Sequence, residues 1–167
     1  MGKLYNARKD PKVLEYQSDE KFQSWLRMQD AAMDIEFSIF DVPEVNGHMY
    51  TREGLVVAER ALLERFPDYR TAFSGENQKL AMRFVYFIGE TFRRATEGKW
   101  FALPPDPPKR GPQPLIDTEF SPILYNPMHL ISFAFQRRTG KEIVTPYDYA
   151  VKDHQKWVEA GRPPRRD

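Results

Sequence analysis

Residues 74–100 read SGENQKLAMRFVYFIGETFRRATEGKW, and their large apolar side chains return at the spacing of an α-helix. The main members of this set are Leu80, Phe84, Phe87, Ile88 and Phe92. Their spacing is typical of a helix that buries one face. The sequence therefore predicts a long central helix. The segment that follows it, KWFAL at 99–103, has the composition of a strand.

Both ends of the central helix carry typical boundary residues. We expect Ser74 to be the N-cap, because its hydroxyl can accept a hydrogen bond from a free backbone N–H of the first turn. We expect Gly98 to be the C-cap, because glycine tolerates a left-handed conformation. Gly89 lies inside the helix, where glycine costs about 1 kcal/mol relative to alanine. We therefore expect another backbone to approach closely at Gly89.

The opposite face of this helix is polar and carries Arg83, Tyr86, Glu90, Arg93 and Arg94. Glu90 can pair with the two arginines that follow it, and each such pair stabilises an exposed helix by about 0.2–0.5 kcal/mol. Two interpretations stay open at this point. The face is a solvated surface with internally paired charges, or it is a recognition surface with arginine and tyrosine as anchors.

The candidates for binding a partner are these five residues together with Lys109 and Arg110, which lie in a proline-rich loop at 104–114. Insertions of this kind tolerate sequence change and sometimes carry binding contacts. We expect the loop itself to be a stiff connection with polyproline II or irregular backbone.

Composition limits the classes of protein to consider. The chain has 167 residues, with 25 Lys and Arg against 24 Asp and Glu, so the net charge of +1 predicts no specific nucleic-acid partner and no attraction to an anionic membrane. It contains no cysteine, which excludes disulfides, thiol chemistry and cysteine-ligated zinc. No apolar segment is long enough to cross a bilayer, and the N-terminus lacks the apolar core of a secretory signal. These features predict a cytoplasmic protein.

We expect three parts along the chain. Residues 1–17 are basic and polar and contain Pro11, so they predict an irregular arm. Residues 18–160 predict a single domain. Residues 161–167, GRPPRRD, predict a mobile basic tail.

Helices are predicted on both sides of the central one. The first covers 19–40, with Phe22, Trp25, Met33, Phe37 and Phe40 on its apolar side. Its carboxylates at 30 and 34 share a face, which is a solvated acidic surface or, with partners from elsewhere, part of a metal or acid–base site.

Capping residues define the remaining helices. Thr51 is expected to cap a helix at 52–66, and Asn126-Pro127 to open a deeply packed helix that carries His129. Thr145-Pro146 can start a last helix that runs to about residue 159.

The strands are predicted to form a small sheet. Residues 115–120 alternate between apolar and polar, and they can pair with 99–103 as an antiparallel hairpin. Residues 123–125 predict a short third strand or an extended lead-in. The fold class is therefore α+β, a helix-rich single domain with an antiparallel sheet of two or three strands around 99–125.

No catalytic motif stands out from the sequence. It has no phosphate-binding glycine loop, no His-Glu-x-x-His and no Gly-x-Ser-x-Gly. The histidines at 48, 129 and 154 are far apart along the chain, and His129 is expected to be a buried or semi-buried structural residue. We predict no metal and no cofactor. The sequence leans away from catalysis, and the enzymatic alternative is a small hydrolase or transferase whose cleft uses Glu90 and His129.

The order of short motifs resembles one known group. Gly89-Glu90 and Arg93-Arg94 are followed by Gly98-x-Trp100 entering a strand, and after a second strand Asn126-Pro127 starts a helix. This order is similar, over roughly residues 76–140, to a group of uncharacterised small bacterial proteins that includes immunity proteins of polymorphic toxin systems. The resemblance implies a cytoplasmic protein that binds and blocks a protein toxin without catalysis. A further alternative is a structural or accessory scaffold protein that self-associates.

Overall fold

The computed structural model describes residues 5–166, and over that range the fold is α+β, as the sequence predicts. The helices are α1 (Pro11–Tyr16), α2 (Glu20–Ala32), α3 (Arg52–Arg65), α4 (Tyr69–Ala72), α5 (Asn77–Thr96), α6 (Pro127–Arg137) and α7 (Val144–Glu159). The strands are β1 (Lys99–Leu103) and β2 (Gln113–Asp117), which form a two-stranded antiparallel sheet.

Helix α5 is the centre of the molecule and contacts α2, α3, α4, α6, α7 and both strands. Its phenylalanines point inward as predicted, since Phe84, Phe87 and Phe92 are each no more than 1% exposed. Phe37 packs against two of these rings, with centroid distances of 5.3 Å to both Phe84 and Phe87. The aromatic face of α5 therefore forms the core on which the other helices pack.

The ends of α5 differ from the predicted ones. The helix begins at Asn77, after a tight turn in which the Ser74 hydroxyl donates to the carbonyl of Arg70, so Ser74 is not the N-cap. At the other end Glu97, with φ of 55°, takes the left-handed position expected for Gly98. Position 98 has no room for a larger side chain, because a Cβ there would lie 2.9 Å from Cγ2 of Ile116 and 3.0 Å from the carbonyl oxygen of Asp117.

The segment predicted as one helix at 19–40 changes type along its length. Asp19 caps α2 by accepting from the backbone N–H of Phe22, and α2 continues from Met33 to Asp41 as a π-helix. A π-helix has more residues per turn than an α-helix, so apolar positions extrapolated from α2 no longer face the core. Met33 and Phe37 stay buried, but Phe40 is 77% exposed, and its prediction as a core residue is wrong.

The N-terminal segment is ordered as helix, so the prediction of an irregular arm at 1–17 is wrong for its described residues. A 3₁₀ turn at Ala7–Lys9 leads into α1. Pro11 occupies the first turn of α1, where its missing N–H is not needed, and Asp10 caps the helix through the N–H of Lys12. Residues 1–4 of the predicted arm lie outside the described residues.

The described part of the C-terminal tail packs on the domain, whereas the sequence predicts a mobile tail. Trp157 donates from Nε1 to the carbonyl of Pro163 at 2.9 Å. Arg165 then donates to the carbonyl of Thr118, just beyond β2. Asp167, the last residue of the predicted tail, lies outside the described residues.

The hairpin pairs Lys99 with Asp117 and Leu103 with Gln113. The second strand therefore begins two residues before the predicted 115 and ends three before the predicted 120. The predicted third strand is reduced to Tyr125, which exchanges two backbone hydrogen bonds with Ile116, of 2.9 and 3.0 Å.

The outer edge of β1 is bonded to a side chain. The amide of Gln17, which follows α1, donates to the carbonyl of Ala102 and accepts from its N–H, both at 2.8 Å. Gln17 therefore fixes α1 against the sheet.

Two predicted helix caps are confirmed. The Thr51 hydroxyl accepts from the N–H of Gly54, and the Asn126 side chain accepts from the N–H groups of Met128 and His129. The last helix begins at Val144, one residue before the predicted Thr145-Pro146 start.

Candidate functional site

Glu90 is the most fully bonded of the candidate residues. It is 3% exposed, and Oε1 accepts from Nε of Arg93 at 2.6 Å and from Nε1 of Trp100 at 3.1 Å. Oε2 accepts from Nη2 of Arg93 at 2.7 Å and from Nε of Arg94 at 2.9 Å. Burial acts to raise the pKa of Glu90, but the hydrogen bonds from Arg93, Arg94 and Trp100 outweigh it and hold this pKa below its ordinary value.

Tyr86 lies under the indole of Trp100, parallel to within 9° and with ring centroids 5.4 Å apart. Trp25 meets both rings edge-on. The Tyr86 hydroxyl donates to Asp30 at 3.1 Å, and burial raises the pKa of Tyr86 well above its ordinary value. Asp30 is therefore linked to α5 through a neutral tyrosine.

Arg83 joins α5 to the end of the π-helix. It is 7% exposed, and its guanidinium contacts Glu36 and Asp41, with Nη1 lying 2.6 Å from Oδ2 of Asp41. The interpretation of this face of α5 as a solvated surface is thus wrong for Arg83, Tyr86 and Glu90. These residues are covered because α2, the π-helix and β1 pack on the polar side of α5 as well.

Arg93 and Arg94 remain partly accessible, with side chains 36% and 47% exposed. The Arg94 guanidinium also lies 3.7 Å from the ring centroid of Tyr50. Lys109 and Arg110 are exposed in the loop between the strands. Four of the seven sequence candidates thus remain accessible, and they lie on two different elements.

Of the three histidines, only His154 contacts a carboxylate among the described residues. His48 and His129 are exposed, so the expectation that His129 is buried or semi-buried is wrong; it lies in the first turn of α6, with its side chain toward solvent. His154 lies 2.7 Å from Glu97 through Nε2 and Oε2. Across residues 5–166 no three metal-ligating side chains come together. Among the described residues, Glu90 contacts Arg93, Arg94 and Trp100, and it is not hydrogen-bonded to His129.

A groove of about 730 Å³ opens between the helices and the hairpin, and no local sequence pattern indicates it. Its lining combines α1, α2, α4, the start of α5, the loop 104–112 and Met128 of α6. The ring-bearing side chains in it are Tyr16, Phe22, Trp25, Tyr69, Phe73, Pro105, Pro112 and Pro114. No single segment carries the pattern, so only the folded chain brings these rings together.

The charged residues that line this groove have one sign. Lys21 and Arg110 are the charged residues among those that line it, and both are exposed. Neither forms an ion pair within the part of the chain that the structure describes. Burial raises the pKa of Tyr16 and of Tyr69, so both hydroxyls are neutral at physiological pH.

A second surface lies on α2 and the π-helix. Four large apolar side chains are exposed there, by 67% at Met28, 63% at Ile35, 49% at Ile39 and 77% at Phe40. The segment 28–41 has four carboxylates and no basic residue. We call this segment the apolar–acidic surface. Its apolar side chains could have been suspected from the sequence, because they are more numerous than one buried helix face can accommodate.

Comparisons with known protein families, with curated proteins and with solved structures found no match to this chain. Among the described helices, none combines the length and the apolar character needed to span a membrane.

Proposed function

We propose that this chain is a non-catalytic binding protein that docks a protein partner on the apolar–acidic surface and acts as an immunity or antitoxin-like inhibitor of a toxin in the cytoplasm. The observation that supports the proposal is the exposure of Met28, Ile35, Ile39 and Phe40 along one continuous helical segment. The toxin-inhibiting role comes from the motif resemblance over residues 76–140.

Exposed apolar residues scattered singly are ordinary, but contiguous ones mark interaction sites. Met28 lies four residues before the end of α2, and Ile35 lies in the first turn of the π-helix that continues it, so the two side chains follow one another along one helical segment. Ile39 follows Ile35 by about one turn of π-helix. Each of these side chains removes apolar area from water when a partner covers it, and this favours the complex.

The charges of the surface favour a basic partner. Glu36 is partly neutralised by Arg83, and Asp30 accepts from Tyr86, but Asp34 is exposed and makes no ion pair with any described residue. This arrangement would be complemented by a partner with an apolar pocket surrounded by lysine or arginine. Attraction between those basic residues and the carboxylates would also speed association.

The test is affinity capture from the host with the wild-type chain and with the double variant Ile35→Asp, Ile39→Asp. The proposal requires a captured protein with a basic surface that is toxic when expressed alone and is neutralised when this chain is co-expressed. The double variant should lose both capture and protection. The matched control is Tyr149→Asp, which removes a 66% exposed ring from α7 and should keep both.

A second copy of this chain is the alternative occupant of the apolar–acidic surface. Light scattering on the purified chain at micromolar concentration distinguishes the two cases. A dimer that becomes monomeric in the Ile35→Asp, Ile39→Asp variant would replace the toxin-binding proposal with the scaffold role.

A further inference from the structure

We propose that the aromatic groove between α2, α4 and the strand-connecting loop binds a small organic anion, a carboxylate with an apolar body. This site is separate from the apolar–acidic surface, and the two proposals stand or fall independently. The groove volume of about 730 Å³ lies within the range of small-molecule sites, which is roughly 300–1,000 Å³.

The lining suits an apolar ligand body. Phe22 and Ala102 are buried at 7% and 1% exposure, whereas Trp25 and Tyr69 are only partly covered. The Tyr69 and Phe73 rings stack with centroids 4.5 Å apart, and this pair forms a fixed wall. Aromatic walls of this kind contribute a large contact area at low conformational-entropy cost, since each ring has only two side-chain torsions.

The charges select the sign of the ligand. Lys21 and Arg110 are the only charged side chains among the lining residues, and no Asp or Glu lines the groove. Both cations are free to pair with an incoming group, since no described carboxylate holds either of them. A carboxylate that pairs with an ammonium or a guanidinium group forms charge-assisted hydrogen bonds, which are stronger than those between neutral groups.

Decanoate is the probe, titrated below its micelle concentration by isothermal titration calorimetry. We expect saturable binding of one decanoate per chain and at least about tenfold weaker binding of decyltrimethylammonium, which has the same chain length and the opposite charge. Because exposed ion pairs are individually weak, the Lys21→Gln, Arg110→Gln variant should bind decanoate about five- to twentyfold more weakly. Its affinity for 1-decanol should not change.

The matched control is Lys99→Gln, Lys152→Gln. It removes the same two charges from exposed positions that do not line the groove, and it should bind decanoate as the wild type does. Decanoate should also change the tryptophan emission of the wild type, and Trp25→Phe should abolish that change while keeping Trp100 and Trp157. The proposal is overturned by the absence of saturable decanoate binding. Equal affinity for the cationic and anionic probes, or an equal loss in the control variant, would overturn it as well.

Discussion

The indole of Trp100 lies directly on the backbone of Gly89 and, from the same position, donates Nε1–H to Glu90 at 3.1 Å. A Cβ at Gly89 would be 2.9 Å from both Cζ2 and Cζ3 of the ring, and closer still to Cη2. The close approach expected at Gly89 is thus made by a side chain, not by another backbone. Glycine destabilises the interior of a helix, and here the contact that it permits between α5 and β1 offsets that destabilisation.

Gly89→Ala should therefore destabilise the protein, although alanine is the better helix former by about 1 kcal/mol. Overpacking a filled site costs typically about 1–3 kcal/mol, and the Trp100 ring is held by Tyr86 and Trp25 and cannot easily move. Urea unfolding measures the change. In a Trp100→Leu background the same substitution should become neutral or stabilising, and an unchanged penalty there would show that the ring is not its cause.

Glu90→Gln should lower the free energy of unfolding by about 2–4 kcal/mol at pH 7, because an amide nitrogen would replace one acceptor that Arg93 and Arg94 now use. Urea unfolding measures this loss. Glu64→Gln, at an exposed position of α3, is the control and should change stability by less than about 0.5 kcal/mol. A Glu90→Gln loss as small as that of the control would mean that the network is dispensable.

The same carboxylate predicts a pH dependence. Its pKa is lower in the folded than in the unfolded chain, so its stabilising contribution is fully present above the unfolded value of about 4.3 and is lost as the pH falls through the folded value. The difference in unfolding free energy between wild type and Glu90→Gln should therefore be constant from pH 7 to about 5 and shrink below that. A difference that grows on acidification would contradict the assignment.

Phe37→Ala and Phe40→Ala form a matched pair three residues apart. Phe37 is 0% exposed and contacts two α5 rings, so its truncation should cost about 3–5 kcal/mol. Phe40 is 77% exposed, and its truncation should cost less than about 1 kcal/mol. Equal losses of stability in thermal or urea unfolding would instead support the regular α-helix that the sequence predicts for 19–40.

Arg83→Met should destabilise the protein by about 2–4 kcal/mol, since it leaves Asp41, whose side chain is 20% exposed, without its guanidinium partner. Lys79→Met, an exposed change on the same helix, is the control and should stay within about 0.5 kcal/mol. If the two variants unfold alike, the ion pair between α5 and the π-helix contributes nothing to stability.

Local patterns predicted much of the fold. The apolar period of α5 and the caps at Thr51 and Asn126 depend on residues within a few positions of one another, so the sequence alone shows them. The burial of Arg83 depends on Asp41, 42 residues away, and no local pattern indicates it. Helical spacing shows which side of α5 is apolar, but it does not show whether the polar side is covered.

The binding surfaces were harder to predict for the same reason. The groove draws its lining from α1 at Tyr16 to α6 at Met128, and each of its rings is ordinary within its own segment. The apolar–acidic surface depends on a change of helix type at Met33, which leaves Phe40 outside. Arg110 was predicted as a contact residue, but its role in the groove follows only from the folded loop.

The bonding of the hairpin restricts how this protein can assemble. Backbone groups of Trp100, Ala102, Pro114 and Ile116 point away from the partner strand. The side chain of Gln17 bonds the outward backbone groups of Ala102, and the backbone of Tyr125 bonds those of Ile116. Pro114 has no N–H to donate. Among the described residues, the backbone groups of Trp100 and the carbonyl of Pro114 are left open, so neither side offers a continuous row of donors and acceptors to a further strand. Amyloid-like growth and strand-donating partners are therefore both disfavoured here.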